Sequence, residues 1–172
     1  MFGAIGDIYT NINDGDIGLT GIIPLYKIEK IWFWTNVEPY RSEWIRLLSF
    51  VTNGYQYKST PIASLGPGLC FPKSFLEKYS ELYLPELCHD EIRIPIVSQL
   101  FGYQIKDTGF FKDWFIHEER KYFNADKIKI EKEIIQSELM TGYRRVFHPY
   151  NEIFDYCHIL QNVNYNKLYA NF

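Results

Sequence analysis

The chain has 172 residues, 47% of them hydrophobic and 18% aromatic, with a formal net charge of −3 and a pI near 5.8. This composition supports one folded domain with a sizeable core and excludes an intrinsically disordered chain. The mildly acidic balance leaves no footprint for a nucleic acid, no run approaches the ~20 apolar residues of a membrane-spanning helix, and three cysteines (Cys70, Cys88, Cys157) without metal-type spacing fit a reduced, cytoplasmic setting.

The stretch 2–9 is small and apolar, and Asn11, Asn13, Asp14, Gly15 and Asp16 then concentrate turn formers before a strand-like run over 17–23. A tight Asp-Gly hairpin is the simpler expectation for this turn. The chemical alternative is that Asp14 and Asp16, at a strand end, hold a divalent cation on a pyrophosphate, because hard cations take carboxylate oxygens together with substrate phosphates. Residues 30–36, with Ile31, Trp32, Phe33 and Trp34, are expected as a buried strand, or else as a patch for peripheral attachment to a membrane. A helix is expected from Glu38-Pro39 to Asn53-Gly54, with Trp44, Leu47, Leu48 and Val51 on one face.

Residues 61–110 carry the densest signals. Ile62, Ala63 and Leu65 suggest a strand entering a Gly66-Pro67-Gly68 turn, and Leu69-Cys70-Phe71 a strand leaving it. Pro72 suits a helix start, with Phe75, Leu76, Tyr79 and Leu82 at helical spacing and Pro85 beyond its end. Asp90 or His89 caps the next helix and Glu91 lies in its positive first turn, although Pro95 would move the true start one turn later. One carboxylate of the Asp90–Glu91 pair is thereby left to point above the helix terminus, where it suits a general base. Gly102 ends that helix, and 103–107 alternate as a strand.

The rest of the chain is aromatic, then helical. Phe110, Phe111, Trp114 and Phe115 lie in a loop whose rings suit a sugar. Asn124 or Asp126 caps a helix expected through about Leu139, carrying Ile128, Ile130, Ile134 and Ile135. Arg144 and Arg145 suit a diphosphate as forked donors, and His148 suits a metal or a phosphate. Residues 1–160 are taken as one domain and 161–172 as a loosely held tail.

Four segments together carry a family resemblance: Leu65-Gly66-Pro67-Gly68-Leu69-Cys70-Phe71 before a helix, Asp90-Glu91-Ile92-Arg93-Ile94-Pro95 opening the next, Leu100-Phe101-Gly102-Tyr103 running into a strand, and Phe147-His148-Pro149. In this order they resemble the second half of a GT-A-type glycosyltransferase domain. The resemblance implies that Gly66, Pro67 and Gly68 line the sugar and acceptor cleft, that Asp90 or Glu91 is the base, and that His148 joins Asp14 and Asp16 at a Mn or Mg ion. It also implies a nucleotide-sugar donor and a glycan or glycolipid acceptor. The family's nucleotide-binding half precedes its Asp-x-Asp motif and has no counterpart before Asp14. The resemblance therefore implies a truncated or split enzyme completed by a partner chain, or an inactive descendant kept for binding.

The expected fold is α/β or α+β, a partial GT-A-like fold with a small mixed sheet of about four to six strands flanked by helices. Sugar transfer is the leading expectation, with Phe111 or Trp114 stacking on a sugar ring. A non-catalytic carbohydrate- or protein-binding module using the 110–115 loop is the rival. A structural subunit pairing through the patch around Trp32 and Trp34 is the third possibility.

Overall fold

The computed structural model describes residues 12–110, 114–116, 118, 122 and 130–141. They fall into two compact units, one formed by residues 12–110 and one by those from Trp114 onward.

In the first unit, strand β1 (Ile17–Pro24) is the middle of a three-stranded mixed sheet, antiparallel to β2 (Ile62–Cys70) and parallel to β3 (Ile105–Asp107). It follows a β-turn in which the Asp16 N–H donates to Asn13 O at 3.0 Å and Gly15 adopts φ +96°, a conformation suited to a residue without Cβ. The Asp16 carboxylate closes that turn by accepting from Asn13 N and Nδ2 at 3.2 and 3.1 Å.

The two short strands expected around a Gly-Pro-Gly turn are one strand. Thr20 faces Leu65 and Gly18 faces Cys70, so Gly66, Pro67, Gly68 and Leu69 of β2 lie between two pairs separated on β1 only by Leu19. The surplus is absorbed as a bulge, which needs a proline without an N–H to pair and glycines that tolerate unusual backbone.

The segment 30–36 is not a strand. After a single 3-10 turn (Leu25–Lys27) the N–H groups of Ile28, Glu29, Ile31 and Trp32 bond back to Leu25 and Ile28 carbonyls, and the chain runs into the one-turn helix α1 (Phe33–Asn36). Buried Thr35 fastens this stack of turns by donating its hydroxyl to Glu29 O at 2.8 Å. Local back-bonding therefore overrides the β-propensity of the aromatics, and Ile31 and Phe33 are left exposed.

Helix α2 (Tyr40–Tyr55) buries Trp44, Leu47 and Val51 on one face, as their spacing requires. It passes through Asn53-Gly54 and stops at Gln56, whose φ of 56° lets its N–H reach Val51 O. Helix α3 (Lys73–Glu81) starts behind Pro72. Helix α4 (Asp90–Leu100) begins at the acidic pair itself and keeps Pro95 inside, buried, so the start is not displaced by a turn. The cost is borne by the Glu91 carbonyl, which loses its i+4 donor.

Ile17 and Leu19 of β1, Phe75 of α3 and Val97 of α4 form a buried cluster. Phe71, Tyr79, Tyr103 and Phe101 place their ring centroids 5.1, 5.7, 5.6 and 6.0 Å from that of Phe75. Each large apolar side chain so buried stabilises the fold by about 1.5–3 kcal/mol.

In the second unit, helix α5 (Lys132–Thr141) begins later than the expected cap at Asn124 or Asp126, because residues 130 and 131 are not helical. Ile130 and Ile135 are buried, and the Tyr122 hydroxyl donates to Glu138 Oε1 at 2.7 Å. Among the described residues no helix is long and apolar enough to cross a membrane.

Candidate functional site

The β2 bulge frees the N–H of Gly66 from the sheet, and Glu91 takes it. Glu91 stands in the first turn of α4, which packs on β2, and its Oε1 accepts from Gly66 N at 2.9 Å. Its Oε2 accepts from the indole Nε1–H of Trp34 at 3.0 Å, which ties α1 to α4. The carboxylate is thus held by two donors on two other elements, with lone pairs to spare on both oxygens.

His89 and Trp34 roof this group. His89 is the N-cap of α4, its Nδ1 accepting the Glu91 N–H at 3.4 Å, and its ring lies flat on the Trp34 indole, with centroids 4.0 Å apart and planes 4° apart. The edges of Phe33 and Tyr40 close around the indole, with centroids 5.0 and 4.9 Å away. His89 Nδ1 also lies 3.7 Å from Glu91 Oε2. Asp90, by contrast, is exposed.

Further along β2 the backbone is shaped by Gly68, at φ +80°. A Cβ there would run into the ring of buried Phe110 and lie 2.9 Å from Thr20 Oγ1. Thr20 and Thr108 bond through their hydroxyls at 2.7 Å, pinning β3 to β1 at this point.

At the end of β2, Leu69, Cys70 and Phe71 join Asn13, Asp14 and Asp16 in a cleft of about 470 Å³ whose far side is Lys73 at the start of α3. Asp14, Asp16 and Lys73 therefore line one space, with the Lys73 ammonium paired to Glu77 Oε1 at 3.2 Å. Among the described residues no group of three His, Cys, Asp or Glu side chains is placed to cage a metal ion. Divalent ions held by only one or two carboxylates take their remaining ligands from substrate phosphates and water. Asp14 is exposed, whereas Asp16 is buried with Oδ2 engaged by Asn13.

Of the other expected site residues, Pro67 is exposed on the bulge and Trp114 is buried. Phe111, Arg144, Arg145 and His148 lie outside the described residues. Two groups beside α4, at its start and near its end, are acids that burial keeps neutral. Burial pushes the Cys88 thiol up to about 12, with the Glu43 carboxylate adding to the effect and the Arg93 guanidinium opposing it, while burial alone pushes the Tyr57 hydroxyl up to about 12.

The acidic pair at the helix start was visible in the sequence, but its partner Trp34 was not, since the two are 57 positions apart and no spacing rule links them. Lys73 was equally hidden, except as a charge next to a helix-opening proline. Comparison with protein-family models, with curated proteins and with solved structures gives no match for this chain.

Proposed function

We propose that the chain acts on nucleotide-activated sugars, transferring the sugar to a glycan or glycolipid acceptor, with Glu91 as the base. The supporting observation is the geometry of Glu91, a carboxylate oriented by Gly66 and Trp34 beside a stacked Trp34–His89 pair at the opened edge of β2. A sugar ring presents C–H faces that suit such aromatics, and its hydroxyl would meet a carboxylate with lone pairs to spare. In the transfer step the acceptor hydroxyl gives its proton to Glu91 while its oxygen bonds to the anomeric carbon, and the bond from that carbon to the diphosphate breaks.

The cleft of Asp14, Asp16 and Lys73 would receive the diphosphate. Gly66 and Cys70 are four residues apart on one bulged strand, no more than about 13 Å at strand rise. That span suits a sugar joined to a diphosphate. Asp14 and Asp16 would hold the divalent ion, whose chemistry when bound is to offset the charge of the departing diphosphate.

Thermal melting of the full chain with nucleoside-diphosphate sugars, with and without manganese, tests the donor site, and sugar transfer tests the base. A metal-dependent rise of several degrees is expected, lost in Asp14→Asn. Glu91→Gln should abolish transfer and Asp90→Asn should leave it close to wild type. Absence of any metal-dependent shift, or full transfer by Glu91→Gln, would overturn the assignment.

A further inference from the structure

Of the nine large apolar side chains exposed among the described residues, four fall between positions 26 and 37: Tyr26 at 63%, Ile31 at 72%, Phe33 at 50% and Val37 at 39%. Such clustering in a dozen residues marks an interaction surface rather than scattered exposure. The segment is also firmly built. Leu25, Ile28 and Thr35 are buried and anchor the segment, with the exposed residues between and beyond them.

The backbone of this segment is largely satisfied from within. The N–H groups of Ile28, Glu29, Ile31, Trp32, Thr35, Asn36 and Val37 all donate to carbonyls at positions 25, 28, 32 and 33. Phe33 is held on two sides, its ring centroid 5.0 Å from those of both Trp34 and Tyr40. An apolar tip most of whose amides are paired costs less to bring into a low-dielectric layer than one whose backbone is unpaired.

Charge selects the occupant. Lys27 and Lys30 are exposed next to Tyr26 and Ile31; Glu29 between them is half-buried, and the exposed acid Glu38 keeps its charge but lies at the far end of the segment, where its carboxylate accepts from Ser42 N and Oγ at 3.2 and 2.6 Å. Apolar and aromatic tips flanked by lysines are suited to the headgroup region of a negatively charged bilayer. A second copy of the chain is the poorer fit, since four partly exposed side chains fall well short of the roughly 800 Å² per partner that a standard interface buries.

We infer that the 26–37 segment is a peripheral membrane anchor, its Ile31 and Phe33 side chains dipping into an anionic lipid surface while Lys27 and Lys30 meet the headgroups. The inference does not depend on sugar transfer. It does place any lipid-borne substrate near Glu91, because Trp34 belongs to the same short helix as Phe33.

Flotation of the full chain with phosphatidylcholine vesicles, with or without phosphatidylglycerol, tests it. Binding is expected on the anionic vesicles and much less on the neutral ones. Ile31→Glu and Phe33→Glu should each weaken partitioning about tenfold, the scale on which one large apolar side chain loses its burial. Lys27→Gln and Lys30→Gln should each cost roughly fivefold on anionic vesicles only. Ile31, Lys27 and Lys30 are exposed, so their variants should melt as wild type does, whereas Phe33→Glu also loses its ring contacts with Trp34 and Tyr40 and is compared well below its own melting point. Failure to float with anionic vesicles, undiminished binding by the Ile31→Glu, Phe33→Glu double variant, or self-association abolished by that variant would each overturn the assignment.

Discussion

Gly66 and Gly68 stand two positions apart on one strand, and the surroundings ask different things of them. A Cβ at Gly66 would meet only Glu91 Oε1 and Cγ, at 3.6 and 3.9 Å, which is ordinary contact. At Gly68 the positive φ and the Phe110 ring both oppose a side chain. Gly68→Ala should therefore destabilise by roughly 2–4 kcal/mol, from backbone strain and forced displacement of a buried ring, while Gly66→Ala should cost about 1 kcal/mol or less. Urea midpoints of the two variants check this, and equal losses would remove the distinction. Glu91 raises a related point about its glutamine variant. A glutamine can accept only one of the two N–H groups now held, so Glu91→Gln should also lose about 1–3 kcal/mol of stability. Activity assays of that variant belong at a temperature well below its melting point, with Asp90→Asn as the control for charge alone.

Among the elements, legibility followed the range of the interactions that decide each one. Helix α2 was readable because its apolar periodicity is local and agrees with its burial, and strand β1 because a short run bounded by turn formers is buried almost throughout. So was the small mixed α/β sheet with flanking helices, in coarse form. The bulge in β2 was misread as a turn because register is a property of two strands, and β1 is more than 40 residues away. Helix α1 was misread as a strand because aromatic content outvoted the back-bonding set up by Leu25 and Thr35. Asp107 shows the same blindness to distance. It sits at the end of β3, where its Oδ2 accepts the Ile22 N–H at 3.0 Å and its Oδ1 the Gly109 N–H at 2.7 Å. It thus satisfies an amide of β1 near the irregular register between Thr20 and Ile23. Asp107→Ala leaves both amides without this partner and should cost about 1–3 kcal/mol, with hydrogen exchange at Ile22 rising well above that of its neighbours in β1. Unchanged protection at Ile22 would mean that the sheet, not this carboxylate, secures the strand.

At the scale of the whole molecule, two buried acids should make residues 12–110 lose stability at alkaline pH. Tyr57, just beyond α2, donates its hydroxyl to Gln99 of α4 at 2.6 Å, and Gln99 in turn donates to Thr60 O at 2.9 Å, ahead of β2. Cys88 donates its N–H to Glu43 of α2 at 3.3 Å and leads into α4. Tyr57 thus sits where α2, α4 and the approach to β2 meet, and Cys88 between α2 and α4, and both are acids that burial keeps neutral, each raised to about 12 from ordinary values of 9.0 for the thiol and 10.0 for the phenol. An acid whose pKa is raised on folding holds its proton longer in the native state than in the unfolded one. Well below pH 9.0 both states are protonated and stability is flat with respect to these groups. Above it the unfolded thiol ionises first and then the unfolded phenol, so stability falls, by up to about 1.4 kcal/mol per pH unit for each group, until the folded forms ionise in turn near 12. Urea midpoints measured from about pH 8 to about pH 11 should decline with upward-curving steepness. Tyr57→Phe should start about 1 kcal/mol lower, for want of the bond to Gln99, yet lose less on raising the pH. Cys88→Ala should flatten the onset of the decline, because the thiol is the first of the two to ionise in the unfolded chain. A decline identical in wild type and in both variants would assign the alkaline sensitivity to other groups and leave this three-element joint indifferent to pH.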